Sequence, residues 1–308
     1  MGAVTRRVVI DTDPGTDDAI ALFLAFASPE IEVVLVTVAG GNVGLARTLA
    51  NARALVALAG RDIPVVAGAD RPLLGRFGDA AHVHGADGLA GVALPEGKPA
   101  TRGVAADAIR AALRQAGPAG DDQGGLTLVG IGPATNLALA LATEPALAAN
   151  VAEIVLMTGA VTRGNVTPHA EFNAWSDPEA LSVVLGCGRP VTLATLDLTR
   201  QAICTAEFLA SMPPGGRCMR AARAILGAVP MREYPQGLGH PQHDACAVGW
   251  LVAPQLFVSV PGRAVVDHAG ETRGRTRITP GEGPVRLLER VDSAGFFALL
   301  AERLARLP

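Results

Sequence analysis

Short apolar runs rich in β-branched residues alternate with longer helical patterns along most of the chain. Val8–Ile10 predicts a strand. Asp17 and Asp18 then cap a helix over Ala19–Ala27, which Ser28-Pro29 stops. A second buried strand is expected at Val33–Val38, and a second helix at Leu45–Ala59, closed by Gly60. Pro64–Ala67 reads as extended and Thr101–Gln115 as helical, with Gly117-Pro118 as its stop. Leu126–Val129 (strand), Thr135–Ala142 (helix), Glu153–Met157 (strand), Pro178–Leu185 (helix) and Val191–Leu196 (strand) continue the rhythm. Strands alternating with helices imply an α/β fold: a mostly parallel, mixed, Rossmann-like open sheet with helices on both faces.

After Leu198 the pattern loosens. Ala206–Ser211 and Arg217–Ala228 read as helices and Pro230–Gln242 as a Pro/Gly-rich loop. A further helix runs from near Asp244 to Val252. Leu256–Val260, Val265–His268 and Thr276–Ile278 read as extended pieces around a turn at Gly270–Gly274, and Ser293–Arg306 as the last helix. The 308 residues allow two small domains or one large one, at about 150 residues per domain. No biased linker, repeat or low-complexity tract divides them. A single domain over residues 1–308 is the expectation.

Hydrophobic residues make up 49% of the chain, enough for a large core, and the net charge of −3 gives no reason to expect nucleic acid or an anionic membrane as partner. The longest apolar run, Ala19–Ala27, is far short of the roughly 20 residues of a membrane helix. Cys187, Cys204, Cys218 and Cys246 lack metal-ligand spacing and are expected as reduced thiols. With no signal-peptide pattern at the N-terminus, a cytoplasmic protein is expected.

Charge patterning changes the picture at one place. "VVIDTDPGTDDA" (Val8–Ala19) sets Asp11, Asp13, Asp17 and Asp18 within eight positions after an apolar strand. Carboxylates this close repel, and one must hold a proton unless a cation neutralises them. One reading is a strand end and a helix cap that happen to be acidic. The sharper reading is a cation site at the mouth of a sheet, which the rest of the chain must decide. Ligands of open α/β sheets bind beyond the carboxyl ends of the strands. Gly40-Gly41-Asn42, Gly130–Pro133, Thr158-Gly159 and Asp197 all follow expected strands. Carboxylates and backbone carbonyls are hard ligands, suited to calcium or magnesium rather than zinc. Downstream, "AEFNAWSDPE" (Ala170–Glu179) offers Glu171 and Asn173 on a short extended piece, and "HPQHDACA" (His240–Ala247) sets His243 beside Asp244 at a helix start. Each alone is also readable as ordinary helix capping.

With these segments the chain resembles the nucleoside hydrolases, the inosine–uridine-preferring N-ribohydrolase group. "DTDPGTDDA", "GGN" (Gly40–Asn42), "HVHG" (His82–Gly85), "LVGIGPATNLA" (Leu128–Ala138), "EIVLMTGAVTRGN" (Glu153–Asn165), "AEFNAWSDPEA", "LDLT" (Leu196–Thr199), "HDACAV" (His243–Val248) and "TRGRT" (Thr272–Thr276) carry the resemblance across nearly the whole chain. It implies the nucleoside hydrolase fold, cleavage of the N-glycosidic bond of ribonucleosides, and one bound Ca²⁺. It implies Asp13, Asp18 and Asp244 as carboxylate ligands of that ion, the Ile131 carbonyl as a fourth, and Asp13 as the base that deprotonates water. Asp17, Asn42, Asn165, Glu171 and Asn173 are implied to hold the ribose hydroxyls, Met157 to line the sugar pocket, and Asp11 to support the loop. His243 falls where relatives place a leaving-group acid, a role suited to a side chain titrating near neutrality. His84 falls at a contact near the 5′-hydroxyl and base. A homodimer or homotetramer is implied.

The base side departs from the resemblance. Gly227 and Met231 stand about where several members have tyrosines, and Tyr234 is the only tyrosine. Trp175, or Tyr234, Gln236 and His240, are left as candidates for base contacts. Two other readings compete: a non-catalytic nucleoside-binding protein, and a magnesium-dependent phosphatase of the haloacid-dehalogenase type. The phosphatase needs a lysine or arginine in its site, and Lys98, the only lysine, sits in a Gly/Pro loop.

Overall fold

Val8 and Ile10 face one hydrophobic core and Val9 faces another, as a continuous apolar run does in a strand buried on both faces. In the computed structural model, which describes residues 5–120, 124–235 and 237–308, this run lies in β1 (Arg6–Thr12). On one side of β1 lie β2 (Ile31–Val38) and then β3 (Val65–Ala67). On the other lie β4 (Leu126–Gly130), β5 (Val151–Met157) and β6 (Val191–Ala194), all parallel. The chain then leaves for a small antiparallel sheet of β7 (Ile203–Thr205), β8 (Arg232–Tyr234) and β9 (Gly237–Pro241), with β9 in the middle. It rejoins the large sheet with β10 (Phe257–Val266), β11 (Thr276–Pro280) and β12 (Val285–Val291). β12 runs parallel to β6, and β10 is antiparallel to both β12 and β11. The nine-stranded order is β11-β10-β12-β6-β5-β4-β1-β2-β3.

Helices cover both faces. The core on one face is built largely by Thr16–Ala27, Leu45–Leu58, Arg217–Ala228, His243–Val252 and Ser293–Leu304. Ala105–Ala116, Thr135–Thr143 and Pro178–Leu185 build much of the other. Thr16–Ala27 is buried all round except at Asp17 and packs against His243–Val252. The expected mixed, mostly parallel α/β sheet is therefore the observed one.

Several local expectations are corrected. Pro230–Gln242 is not a loop but the β8–β9 hairpin, whose backbone pairs with β7; its glycines and prolines hid the strands from any side-chain pattern. The pieces expected at Leu256–Val260 and Val265–His268 merge into one strand, Phe257–Val266, because Pro261 and Gly262 stay in register with β12. β12 was not anticipated. The strand expected over Val191–Leu196 ends at Ala194, and Leu196–Thr199 turns into a short helix. The Glu171/Asn173 segment is a helical turn, Phe172–Ser176, rather than extended. All four cysteines are unpaired thiols. No helix among the described residues is long and apolar enough to cross a membrane.

Candidate active site

The sheet grows from β1 in both directions, so β1 and β4 flank a point where the connections part to opposite sides. Crevices at such points are where open α/β sheets bind ligands. Asp11 pairs with Gly130 there, and Ile131 N–H donates to the Asp11 carbonyl at 2.8 Å. The turns after the two strands form the floor of a cavity of about 470 Å³. Helices Thr16–Ala27 and His243–Val252 both begin at this floor, so two N-terminal dipoles offset part of its negative charge.

The four carboxylates of the opening motif have different surroundings. Asp11 is fully buried behind the floor, where Oδ1 accepts from Thr37 Oγ1 (2.6 Å) and Asn136 Nδ2 (2.9 Å). Burial, against those two bonds, pushes its carboxyl up to about 7. Asp18 closes the turn on itself. Its Oδ1 accepts from Thr12 Oγ1 at 2.5 Å, and its Oδ2 from Gly15 N–H at 2.9 Å and Asn42 Nδ2 at 3.0 Å. It is thus a reciprocal cap within its helix's first turn rather than the residue before it.

Asp13 is fully buried, with Oδ2 accepting from Asn42 N–H at 2.7 Å and Oδ1 without any partner among the described residues. Two glycines make room for it. A Cβ on Gly41 would lie 2.1 Å from Oδ2, and one on Gly132 2.5 Å from Oδ1. Burial first, and then the charges of Asp18, Asp17 and Asp11, push Asp13 well above the carboxylate range. Asp244 is pushed well up by burial and by Asp17, Asp18 and Asp13. Burial lifts Asp17 to about 6.

Carboxylate oxygens of Asp17, Asp18 and Asp244 come within 4.8 Å of one another. The gathered trio therefore contains Asp17 in place of Asp13, and Asp13 adjoins it through the shared Asn42 side chain, which donates to Asp18 and to the Asp13 carbonyl at 3.1 Å. Crowded buried carboxylates, an orphaned Asp13 oxygen and an all-oxygen donor set fit a hard divalent cation.

Of the remaining residues implied by the resemblance, Asn42, His84, Ile131, Met157, Asn165, Glu171, Asn173 and His243 all line the cavity, together with Asp17 and Asp244. Asn173 spans two strand ends, donating to the Ile131 and Met157 carbonyls at 3.2 and 3.0 Å. Glu171 caps the Phe172–Ser176 turn, accepting from Asn173 and Ala174 N–H, and from Gly159 N–H at 2.9 Å. His84 Nδ1 accepts the Thr16 N–H at 3.2 Å, which places the ring proton on Nε2. Burial lowers it to about 4.

His243 Nδ1 lies 2.7 Å from Thr199 Oγ1. Burial, then Arg200 and the His84 and His240 rings, lower His243 to about 3, so the expected titration near neutrality is not met in this cavity. His240 is committed to structure. Its Nε2 donates to the Leu226 carbonyl at 3.0 Å and its Nδ1 accepts from Gln242 Nε2 at 3.1 Å. Trp175 borders the cavity and packs against Gly78 and Gly274. Tyr234 lines the cavity, Gly227 and Met231 do not, and Gln236 lies outside the described residues.

Asp197 does not reach the cavity. It accepts from Val161 and Thr162 N–H, while Arg200 donates to the Arg163 and Gly164 carbonyls, so the Leu196–Thr199 turn clamps the loop that carries Asn165. Thr16, Thr199, Arg200 and Gln242 are site residues that sequence reasoning missed, although each is next to, or part of, a motif already noted.

The profile of the inosine-uridine preferring nucleoside hydrolases matches residues 8–298. The non-specific ribonucleoside hydrolase RihC of Escherichia coli is 37% identical over 98% of this chain and 99% of its own. The pyrimidine-specific ribonucleoside hydrolase RihA of Salmonella gallinarum is 39% identical over 96% of this chain and 97% of its own. Among solved structures, a plant nucleoside hydrolase superposes with a TM-score of 0.87 at 32% identity, covering 98% of this chain and 99% of that one. With the site at the sheet's parting point and a profile match over nearly its whole length, the chain belongs to the inosine-uridine preferring nucleoside hydrolase family.

Proposed function

We infer that the protein hydrolyses the N-glycosidic bond of ribonucleosides, yielding ribose and free base. Family membership and relatives named as ribonucleoside hydrolases support the activity. The observation that carries the mechanism is the buried, partnerless Asp13 Oδ1 beside the Asp17–Asp18–Asp244 cluster on the cavity floor. Asp13, Asp18 and Asp244 are the carboxylates that would hold Ca²⁺, with the Ile131 carbonyl, which has a second lone pair beyond the one Asn173 engages. A calcium ion there supplies positive charge against the carboxylates and makes a neighbouring water more acidic.

Asp13 receives the proton of the attacking water, its second oxygen held still by Asn42. Asp17, Asn42, Asn165, Glu171 and Asn173 hold the ribose hydroxyls, and Met157 packs on the sugar. As the bond to the base stretches, positive charge develops on the ribosyl ring, and the anionic floor favours it. His84 contacts the 5′-hydroxyl and base, and Asp11 holds the floor in place. His243 is the leaving-group acid in this reading. To serve as that acid it must take up a proton once the nucleoside is bound, since burial and Arg200 hold its proton affinity low in the ligand-free cavity. The working unit is a single domain, in the cytoplasm, as a homodimer or homotetramer. A purely nucleoside-binding role would not need a base to accept a proton from water, the part of Asp13's role that binding a cation does not cover.

The test is turnover of uridine against 2′-deoxyuridine. The missing hydroxyl leaves buried polar groups unpaired, so kcat/KM should drop by orders of magnitude. Equal turnover of the two overturns the mechanism.

A further inference from the structure

His243 lines the cavity, and its two ring nitrogens have different surroundings. Nδ1 lies 2.7 Å from Thr199 Oγ1. Nε2 is neither bonded to a described residue nor sealed from solvent, so it is the nitrogen left open to a ligand. Which of the two carries the hydrogen follows from Thr199. That side chain is fully buried, so water is no outlet for its hydroxyl proton. The usual outlet of a helical threonine is the carbonyl four residues back, here that of Thr195. It already accepts the Leu198 and Thr199 N–H groups, both at 3.0 Å, which fills its two lone pairs. The hydroxyl therefore donates to His243 Nδ1, and the neutral ring holds its hydrogen on Nε2. Turning the ring over would set a carbon against Oγ1 and strand a buried hydroxyl, which native packing rarely tolerates.

We propose that Thr199 is a positioning residue of the base side: its hydroxyl holds His243 so that an N–H, not a lone pair, meets the departing base. This rests on the hydrolysis reading above and adds to it a residue that itself meets no substrate. Whether His243 gives the base a hydrogen bond or a whole proton, the hydrogen leaves from Nε2. The group it serves is a lone pair that gains charge as the N-glycosidic bond breaks, a carbonyl oxygen of a pyrimidine or a ring nitrogen of a purine. The opposite tautomer would aim its own lone pair at that atom. Thr199 ends the Leu196–Thr199 turn, which Asp197 and Arg200 tie to residues 161–164. The hydroxyl is thereby fixed before substrate arrives, the preorganisation that makes a donor effective at developing charge.

The test joins a spectrum to kinetics. In full-length protein carrying isotopically labelled histidine, at about pH 8 where an ordinary imidazole is neutral, nitrogen shifts should show His243 with Nδ1 bare and Nε2 protonated. His243→Ala assigns the signals, and a hydrogen on Nδ1 overturns the proposal. Thr199→Val keeps the shape of the side chain and removes the hydroxyl. It should move the hydrogen partly onto Nδ1 and lower kcat for uridine and inosine about tenfold further than for p-nitrophenyl riboside, the scale of one buried hydrogen bond. Thr199→Ser should restore most of that loss. An equal fall on all three substrates, no fall, a change in KM alone, or a serine variant no better than valine overturns the inference. If the valine variant does not fold, the wild-type spectrum decides alone. A wild type that cleaves none of the three substrates, with its hydrogen on Nε2, defeats the hydrolysis reading and not the tautomer, a distinct outcome.

Discussion

Gly41→Ala is the most direct probe of how the floor is built, because the substitution adds a single carbon against Asp13. That carbon would lie 2.1 Å from Asp13 Oδ2 and 3.1 Å from Pro133 Cδ. A relaxed carbon–oxygen contact is roughly 3.3 Å, so the carboxylate must retreat by about 1 Å. In retreating it leaves the Asn42 N–H, now 2.7 Å away. Misplacing a reacting group by about 1 Å costs on the order of 10²-fold, or roughly 2.7 kcal/mol of barrier. The strain of overpacking should also lower stability by about 1–3 kcal/mol. Gly41 does not sit in the left-handed region, so backbone conformation adds nothing to either figure. The assay is kcat/KM for uridine, beside a thermal melt. Gly44→Ser is the control from the same loop: nothing lies within 4 Å of its Cβ, and serine suits that helix N-cap position. Wild-type kcat/KM in Gly41→Ala would refute the view that Asp13 must stand where this glycine lets it stand.

Other outcomes follow from the same floor. Asp18→Ala should abolish metal retention measured by elemental analysis, whereas Asp13→Asn should cost turnover far more than nucleoside binding; full activity after chelation contradicts both. Calcium affinity should rise with pH. Asp17 at about 6 and Asp11 at about 7 keep protons in the metal-free protein that an unfolded chain has already lost, so the metal-free protein loses stability as pH rises from about 4 through 7. Because the ion displaces protons from the raised Asp13 and Asp244 carboxyls, its affinity falls as pH drops, with proton release measurable by calorimetry in two buffers; a flat profile rules this out. His243→Ala should slow uridine or inosine cleavage by about 10²–10⁴-fold and spare p-nitrophenyl riboside, whose leaving group needs no proton. Equal slowing would make the histidine structural.

The alternation of strand and helix was legible because parallel strands buried on both faces leave continuous apolar runs, as at Val8–Ile10 and Leu126–Val129. The small sheet was not legible. Its pairing is carried by backbone groups at Gly237, Gly239 and Pro241, where side chains carry no period. The acidic floor was legible because four aspartates in eight positions have few explanations. The difference between them was not. Asp18 spends both oxygens on Thr12, Gly15 and Asn42, and Asp11 spends Oδ1 on Thr37 and Asn136 while its Oδ2 has no partner among the described residues, a division that depends on where distant strands lie. His243 looked like an ordinary histidine in sequence; burial and Arg200, brought in by the turn after β6, make it a poor base.

The Thr16–Ala27 helix, buried on nearly every side, ties the acidic turn to the least accessible part of the molecule. Its amide hydrogens have no shallow local opening through which to exchange, so they should exchange by the same global event that unfolds the core. An ion or nucleoside gripped at the start of that helix then slows exchange through the whole central layer by mass action, instead of quieting one loop. Occupancy of the site could be read from protons far from it.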